Sequence, residues 1–196
     1  MTMENGLIRK RSVMLSVHPQ WCEKIINGEK TLEIRKTIPN LKSPFKVYLY
    51  CTKGKQGEGL IVGREGATLV TCSNYHLAIP VGGHIGNGRV VGEFRCDRVY
   101  MYSAISHDDI INISDEEIVR RSCLSIEEIR KYEDRGNTQD SKFWHYGVFA
   151  WNINHVIPYN IPYRVRAFRH AGSTEQLIRP PQSWCYVEDE GAYLKA

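Results

Sequence analysis

The chain has 196 residues, 42% of them hydrophobic and 24% charged, with a formal net charge of +4. These are ordinary proportions for one globular domain with a sizeable core. No apolar run approaches the ~18–20 residues that span a bilayer. The apolar stretch Val13–Val17 behind Arg9, Lys10 and Arg11 is too short for the centre of a signal peptide, so a cytoplasmic protein without a membrane partner is expected.

In chain order, residues 1–12 read as a tail, and Val13–Val17 as a first strand of β-branched character. His18-Pro19 opens a helix with proline at its first position, where a missing N–H costs nothing. Trp21, Cys22, Ile25 and Ile26 share the inward face, and Asn27-Gly28 stops the helix. Glu29–Lys36 then alternates, with Leu32 and Ile34 on one face and Thr31, Glu33 and Arg35 on the other. Phe45–Thr52 alternates as well, turning Phe45, Val47, Leu49 and Cys51 to the core. The glycine-rich stretch from about 53 to 88 reads as an insertion with one hairpin.

Arg89–Tyr100 and Tyr146–Ile153 are expected strands, the second apolar on both faces and so central in its sheet. Ser114-Asp-Glu-Glu117 and Ser125-Ile-Glu-Glu128 are capping boxes that open two short helices, the second ending at Gly136. A last strand is expected over Pro162–Phe168, closing a domain at 13–170, with 171–196 a tail packed upon it. Short strands with few helices between them predict an α+β fold, a small mixed β-barrel with a few short helices.

Glu29–Lys36 carries the chemistry. A strand leaving a tight turn with a lysine, then showing a carboxylate and a guanidinium two residues apart, forms a compact charged platform. Arg35 offers a planar fork of donors for phosphate or a base edge. Glu33 can accept from an exocyclic amine or orient Arg35, and Lys30 adds a positive charge near the turn. The plainer alternative is a surface Glu–Arg pair worth little to stability.

Gly28-Glu29-Lys30-Thr31-Leu32-Glu33-Ile34-Arg35 resembles the Gly-x-Lys-x-x-Glu-x-Arg signature of the ASCH domain family. Leu15-Ser16-Val17-His18-Pro19-Gln20-Trp21 is similar to the strand and helix start that precede it there. Val90–Val99, the paired helices ending in Tyr132, and Ala150-Trp151-Asn152-Ile153 agree more loosely. The likeness is good over 13–52, patchy beyond, and says nothing of 53–88.

The resemblance implies a β-barrel related to the PUA RNA-binding domain, with a cleft beside the motif for RNA or modified nucleotides. Some relatives look like ribonucleases. A related group hydrolyses N4-acylated cytidine with the motif lysine, a threonine and a downstream glutamate. Here the lysine is kept as Lys30, Glu33 stands where that group has its threonine, and no downstream glutamate matches. Lys30 and Glu33 are therefore the catalytic candidates if the chain is an enzyme. Arg35 beside Glu33 should keep that carboxylate ionised, whereas Lys30 near Arg35 should lose its charge more easily and suit a base or nucleophile.

Further binding candidates lie elsewhere. Lys53 follows a strand directly, in a position to meet phosphate or simply in an exposed loop. Arg164 and Arg166 share a face of the last expected strand, which suits a phosphate backbone or a charge-protected edge. Trp184, in an aromatic and proline-rich tail, is placed either to stack on a base or to pin the tail to the core. The six cysteines form no Cys-x-x-Cys pair, the seven histidines no i, i+4 pair, and no serine has a Gly-x-Ser-x-Gly context. Neither a metal nor a cofactor is expected.

Overall fold

A computed structural model describes residues 3–4, 7–8, 10–72, 74, 76, 79–103, 113–134 and 147–189. The expected helix stop at Gly136 lies outside these residues, as do His107 and His145. Beyond a two-stranded ladder of β1 (Met3–Glu4) and β2 (Leu7–Ile8), three open sheets make the fold.

The main sheet has five strands: β3 (Arg11–Val17), β5 (Phe45–Cys51), β9 (Arg89–Cys96), β12 (Asn154–Tyr163) and β13 (Trp184–Glu188). Its order is β12-β9-β5-β3-β13, with β3 and β5 parallel and the other pairs antiparallel. β3 and β5 are buried on both faces. One face carries Val13, Leu15, Val47, Leu49 and Cys51, which meet helix α1 (Pro19–Ile26) through Cys22 and Ile25. The other carries Met14, Tyr48 and Tyr50 and is covered by Phe168 and Leu177.

The second sheet sets β10 (Val99–Tyr102) and β4 (Leu32–Arg35) on either side of β11 (Val148–Asn152). Trp151 and Ile153 face the first core, while Leu32, Ile34, Val148 and Ala150 are covered by α2 (Asp115–Ser122) and α3 (Ile126–Asp134). The apolar-on-both-faces pattern that placed the 148–152 strand centrally is explained by these two layers. Ser125 and Glu128 bond each other's backbone N–H reciprocally, a full capping box, whereas at the first helix Ser114 Oγ accepts from the Glu117 N–H at 3.2 Å and the Glu117 carboxylate pairs with Arg121.

The 53–88 stretch holds the expected hairpin, β6 (Glu58–Gly63) with β7 (Gly66–Thr71), plus the short strand β8 (His84–Ile85). Leu60, Val62 and Ala67 enter the first core. Asn27, just after α1, brackets Ala67: its Nδ2 donates to the carbonyl at 2.8 Å and its Oδ1 accepts from the N–H at 3.0 Å.

Three expectations are corrected. Among the described residues no sheet closes, so the α+β class holds but the barrel does not. The chain changes sheets at two points. Arg89–Tyr100 is not one strand, because the chain breaks at Asp97-Arg98 and passes from the five-stranded to the three-stranded sheet. Asp97 accepts side-chain hydrogen bonds from Asn152 at 2.6 Å and Asn154 at 3.1 Å, pinning the second crossing, at Ile153, beside the first. Finally, Pro162–Phe168 is not a strand: β12 ends at Tyr163 and a 3-10 turn, Val165–Ala167, follows. No helix among the described residues is long and apolar enough to cross a membrane.

Candidate functional site

Because β3 and β5 run parallel, their C-terminal ends meet at one edge of the core, and Ser16, Val17 and Thr52 open onto a cleft there. The turn after β3 starts α1 at Pro19, which puts His18 and Trp21 on the rim. After α1 the chain reverses at Gly28, whose φ of +78° is a left-handed conformation that a Cβ would strain. The N–H groups of Glu29 and Lys30 then both donate to the Lys24 carbonyl, at 2.9 and 3.0 Å. This places Lys30 at the entry to β4. Thr31 fixes the approach, its N–H donating to the Arg121 carbonyl at 2.8 Å and its Oγ1 accepting from Arg121 Nε at 3.2 Å.

Leu32 and Ile34 turn into the helix-covered core, so the alternation sends Glu33 and Arg35 to the opposite face with Lys30 beside them. Lys30 is 2% and Glu33 6% exposed. Lys30 Nζ donates to the Ser122 carbonyl at 2.6 Å, lies 3.4 Å from Glu33 Oε2, and sits 5.3 Å from the centre of the Trp21 ring. Ser122 ends α2, so the ammonium caps the negative end of a helix dipole. Glu33 Oε1 lies 2.8 Å from Arg35 Nη2, which also donates to the Ser16 carbonyl at 2.7 Å. Arg35 Nη1 donates to Ser183 Oγ at 3.3 Å. Two buried polar atoms at this cleft have no partner, Arg35 Nε and Thr52 Oγ1.

Lys30, Glu33 and Arg35 thus form a cation–anion–cation row at the floor of a cleft of about 550 Å³. Burying ions costs several kcal/mol each, and an apolar trio of similar volume often serves stability as well or better. Burial lowers the proton affinity of Lys30; Glu33 opposes the shift, and Arg35 adds weakly to it. A larger hollow of about 1220 Å³ lies between the β6–β8 sheet and β12. Its lining of hairpin and glycine-rich residues, such as Gly63, Gly82 and Gly83, contains none of the buried charged residues, so volume alone does not make it the site.

The other candidates stand apart from the row. Lys53 is exposed, outside the cleft lining, and its carbonyl accepts from Asn87 Nδ2 at 2.8 Å. Arg164 and Arg166 are exposed around the 3-10 turn rather than ranged along a strand, and neither lines the cleft. Trp184 is half-buried on β13; its ring packs at 6.0 Å on Trp151 and 5.3 Å on Tyr186, and its Nε1 donates to Thr37 Oγ1 at 3.0 Å. Its neighbours Gln182 and Ser183 reach the site instead. Thr52, Trp21, Lys131, Tyr132 and the Ser122 carbonyl were not singled out by sequence. Trp21 is legible as an aromatic on a helix face, but its second role, facing Lys30, depends on the turn at Gly28.

No family model and no curated protein sequence matches the chain. Solved structures do. ASCH from Zymomonas mobilis is 16% identical, with a TM-score of 0.54 over 91% of this chain and 89% of that one. A single-residue mutant of the Zymomonas mobilis protein gives 16% and 0.54 over 94% and 95%, and a second gives 15% and 0.53 over 94% and 93%. The fold is therefore ASCH-like, mixed sheets with three short helices among the described residues.

Proposed function

We propose that the chain binds RNA or a nucleotide in the cleft over Lys30, Glu33 and Arg35. The observation that carries this reading is the buried charged row opening on a concave surface, with Arg35 Nε and Thr52 Oγ1 left for a ligand to satisfy. A cleft of about 550 Å³ lies within the range of small-ligand pockets, roughly 300–1,000 Å³. Trp21 and Tyr132 supply aromatic walls on which a base can stack. Lys30 and Arg35 suit phosphate or a base carbonyl, and Glu33 has lone pairs beyond its two ionic contacts for an exocyclic amine. A cytoplasmic setting goes with this reading, where six free cysteines would stay reduced.

A hydrolase using Lys30 and Glu33 is the second reading. Burial shifts Lys30 in the direction that favours an amine base or nucleophile. Against it, the Ser122 carbonyl at 2.6 Å and Glu33 at 3.4 Å both hold the proton on the amine. Binding is accordingly the reading preferred.

Filter binding with single-stranded RNA and with nucleotides across a salt series tests the leading reading. Arg35→Ala should weaken retention at least tenfold, while Arg166→Ala should mainly flatten the salt dependence. No retention of any RNA or nucleotide at low salt would sink it. Incubation with single-stranded RNA and N4-acetylcytidine separates the two classes: turnover abolished by both Lys30→Ala and Glu33→Gln makes the protein an enzyme first.

A further inference from the structure

The parallel pairing of β3 and β5 gathers a second set of strand ends. Their C-terminal ends form the cleft, and their N-terminal ends, at Arg11 and Phe45, open on a separate pocket of about 520 Å³. Strands of seven residues at ~3.3 Å per residue put the two openings about 20 Å apart.

This second pocket is strongly basic. Among the described residues Lys10, Arg11, Lys42, Lys46 and Arg95 line it against Glu188 and Asp189, an excess of three positive charges in a chain whose net charge is +4. Lys46 is engaged, 2.8 Å from Asp189 and 3.5 Å from Glu93. Among the described residues the other four cations form no ion pair. Exposed lysines and arginines alone would be a solvated surface. What distinguishes this one is Ser12 on the pocket wall, 1% exposed, with an Oγ that has no hydrogen-bond partner. A buried hydroxyl without an acceptor carries an unrecovered desolvation cost, and a bound anion held by the surrounding cations would supply that acceptor.

We propose that this pocket is a phosphoryl-binding site, in which Ser12 Oγ donates to a phosphate oxygen and Arg11, Lys42 and Arg95 neutralise its charge. The inference stands independently of the cleft. Two sources offer the chemistry: a backbone phosphodiester of an RNA strand crossing the sheet, or a free phosphate-bearing small molecule.

The test follows backbone amide NMR shifts of the full chain, wild type and Lys42→Ala/Arg95→Ala, with inorganic phosphate and with a single-stranded RNA dodecamer. Phosphate should move the amides of Arg11, Ser12 and Lys42 in the wild type and not in the double variant. Ser12→Ala should lose the same response. Arg35→Ala should keep it, so failure of the cleft and failure of this pocket are distinguishable. If RNA is the source, the double variant's log K against log salt slope should flatten by about 0.7, the share of the one single-strand phosphate that is no longer neutralised. An unchanged slope with phosphate shifts intact assigns the pocket to a free phosphate compound. Pocket amides that stay put with both ligands, or that respond equally to chloride at matched ionic strength, overturn the proposal.

Discussion

Glu33→Gln is the most informative perturbation of the buried row, because it removes one charge and almost no volume. At an effective dielectric near 20, an ion pair at 3.4 Å is worth about 5 kcal/mol before desolvation, and Lys30 and Glu33 lie at that separation. Replacing the carboxylate leaves Lys30, 2% exposed, with only the Ser122 carbonyl and the Trp21 face. Breaking a buried pair from one side typically costs about 3–5 kcal/mol, and about 3 is expected here since Arg35 keeps two other acceptors. The sign with pH follows from Lys30. Its folded proton affinity is lowered by burial, so the unfolded chain holds more protons and this lysine makes stability rise with pH, up to its unfolded value of about 10.4. Without Glu33 the shift deepens, and the window in which Lys30 can discharge extends to lower pH. Urea unfolding at pH 7 and pH 9.5 should therefore show a wild-type-to-variant gap that narrows at the higher pH. In a cycle with Lys30→Met, the double variant should recover at least about 1 kcal/mol relative to the sum of the singles. A Glu33→Gln cost below about 1 kcal/mol with no pH dependence would refute the coupled row.

Other expectations follow from individual hydrogen bonds. Asn27→Ala removes both of those that tie the hairpin at Ala67 to the end of α1 and should cost about 2 kcal/mol by urea midpoint. Ser125→Ala breaks the reciprocal cap of α3 and should cost about 1 kcal/mol, with little change in nucleotide retention. The side-chain donors of Asn152 and then Asn154 hold the Asp97 carboxyl below its ordinary value. Its contribution is therefore present above pH ~4 and is lost as pH falls through the folded value, so Asp97→Ala should flatten the acid limb of a thermal stability profile.

How much of this was legible depended on how local each signal was. The first strand, α1, the Gly28 turn and the face shared by Glu33 and Arg35 each rest on a few adjacent residues, and the structure places them as the alternation and caps require. β12 was missed because it is an edge strand with Pro158 and Pro162, exposed Ile157 and Ile161, and breaks in its register. Such a segment lacks the alternation that a half-buried strand displays. β13 lay hidden in an aromatic tail whose Trp184 is explained by pairing with Leu15 on β3, far away in sequence. The acceptors that hold Lys30 and Arg35, the carbonyls of Ser122 and Ser16, belong to the backbone and leave no mark on side-chain identity.

The pairing of β13 with β3 also bears on the order in which a nascent chain becomes competent. Ser16 Oγ donates to the Pro181 carbonyl at 2.6 Å, its N–H donates to the Ser183 carbonyl at 2.9 Å, and Arg35 reaches Ser183 Oγ across 148 positions of sequence. Ribosomes translate from the N-terminus, so the charged row emerges early while this wall of the cleft is still unmade. Pairings so distant close late and slowly, and until residue 183 has emerged Arg35 lacks one of its anchors. On the proposed binding reading, stalled or clipped chains that keep the motif but lose the 181–183 segment should retain ligand less well than the full chain.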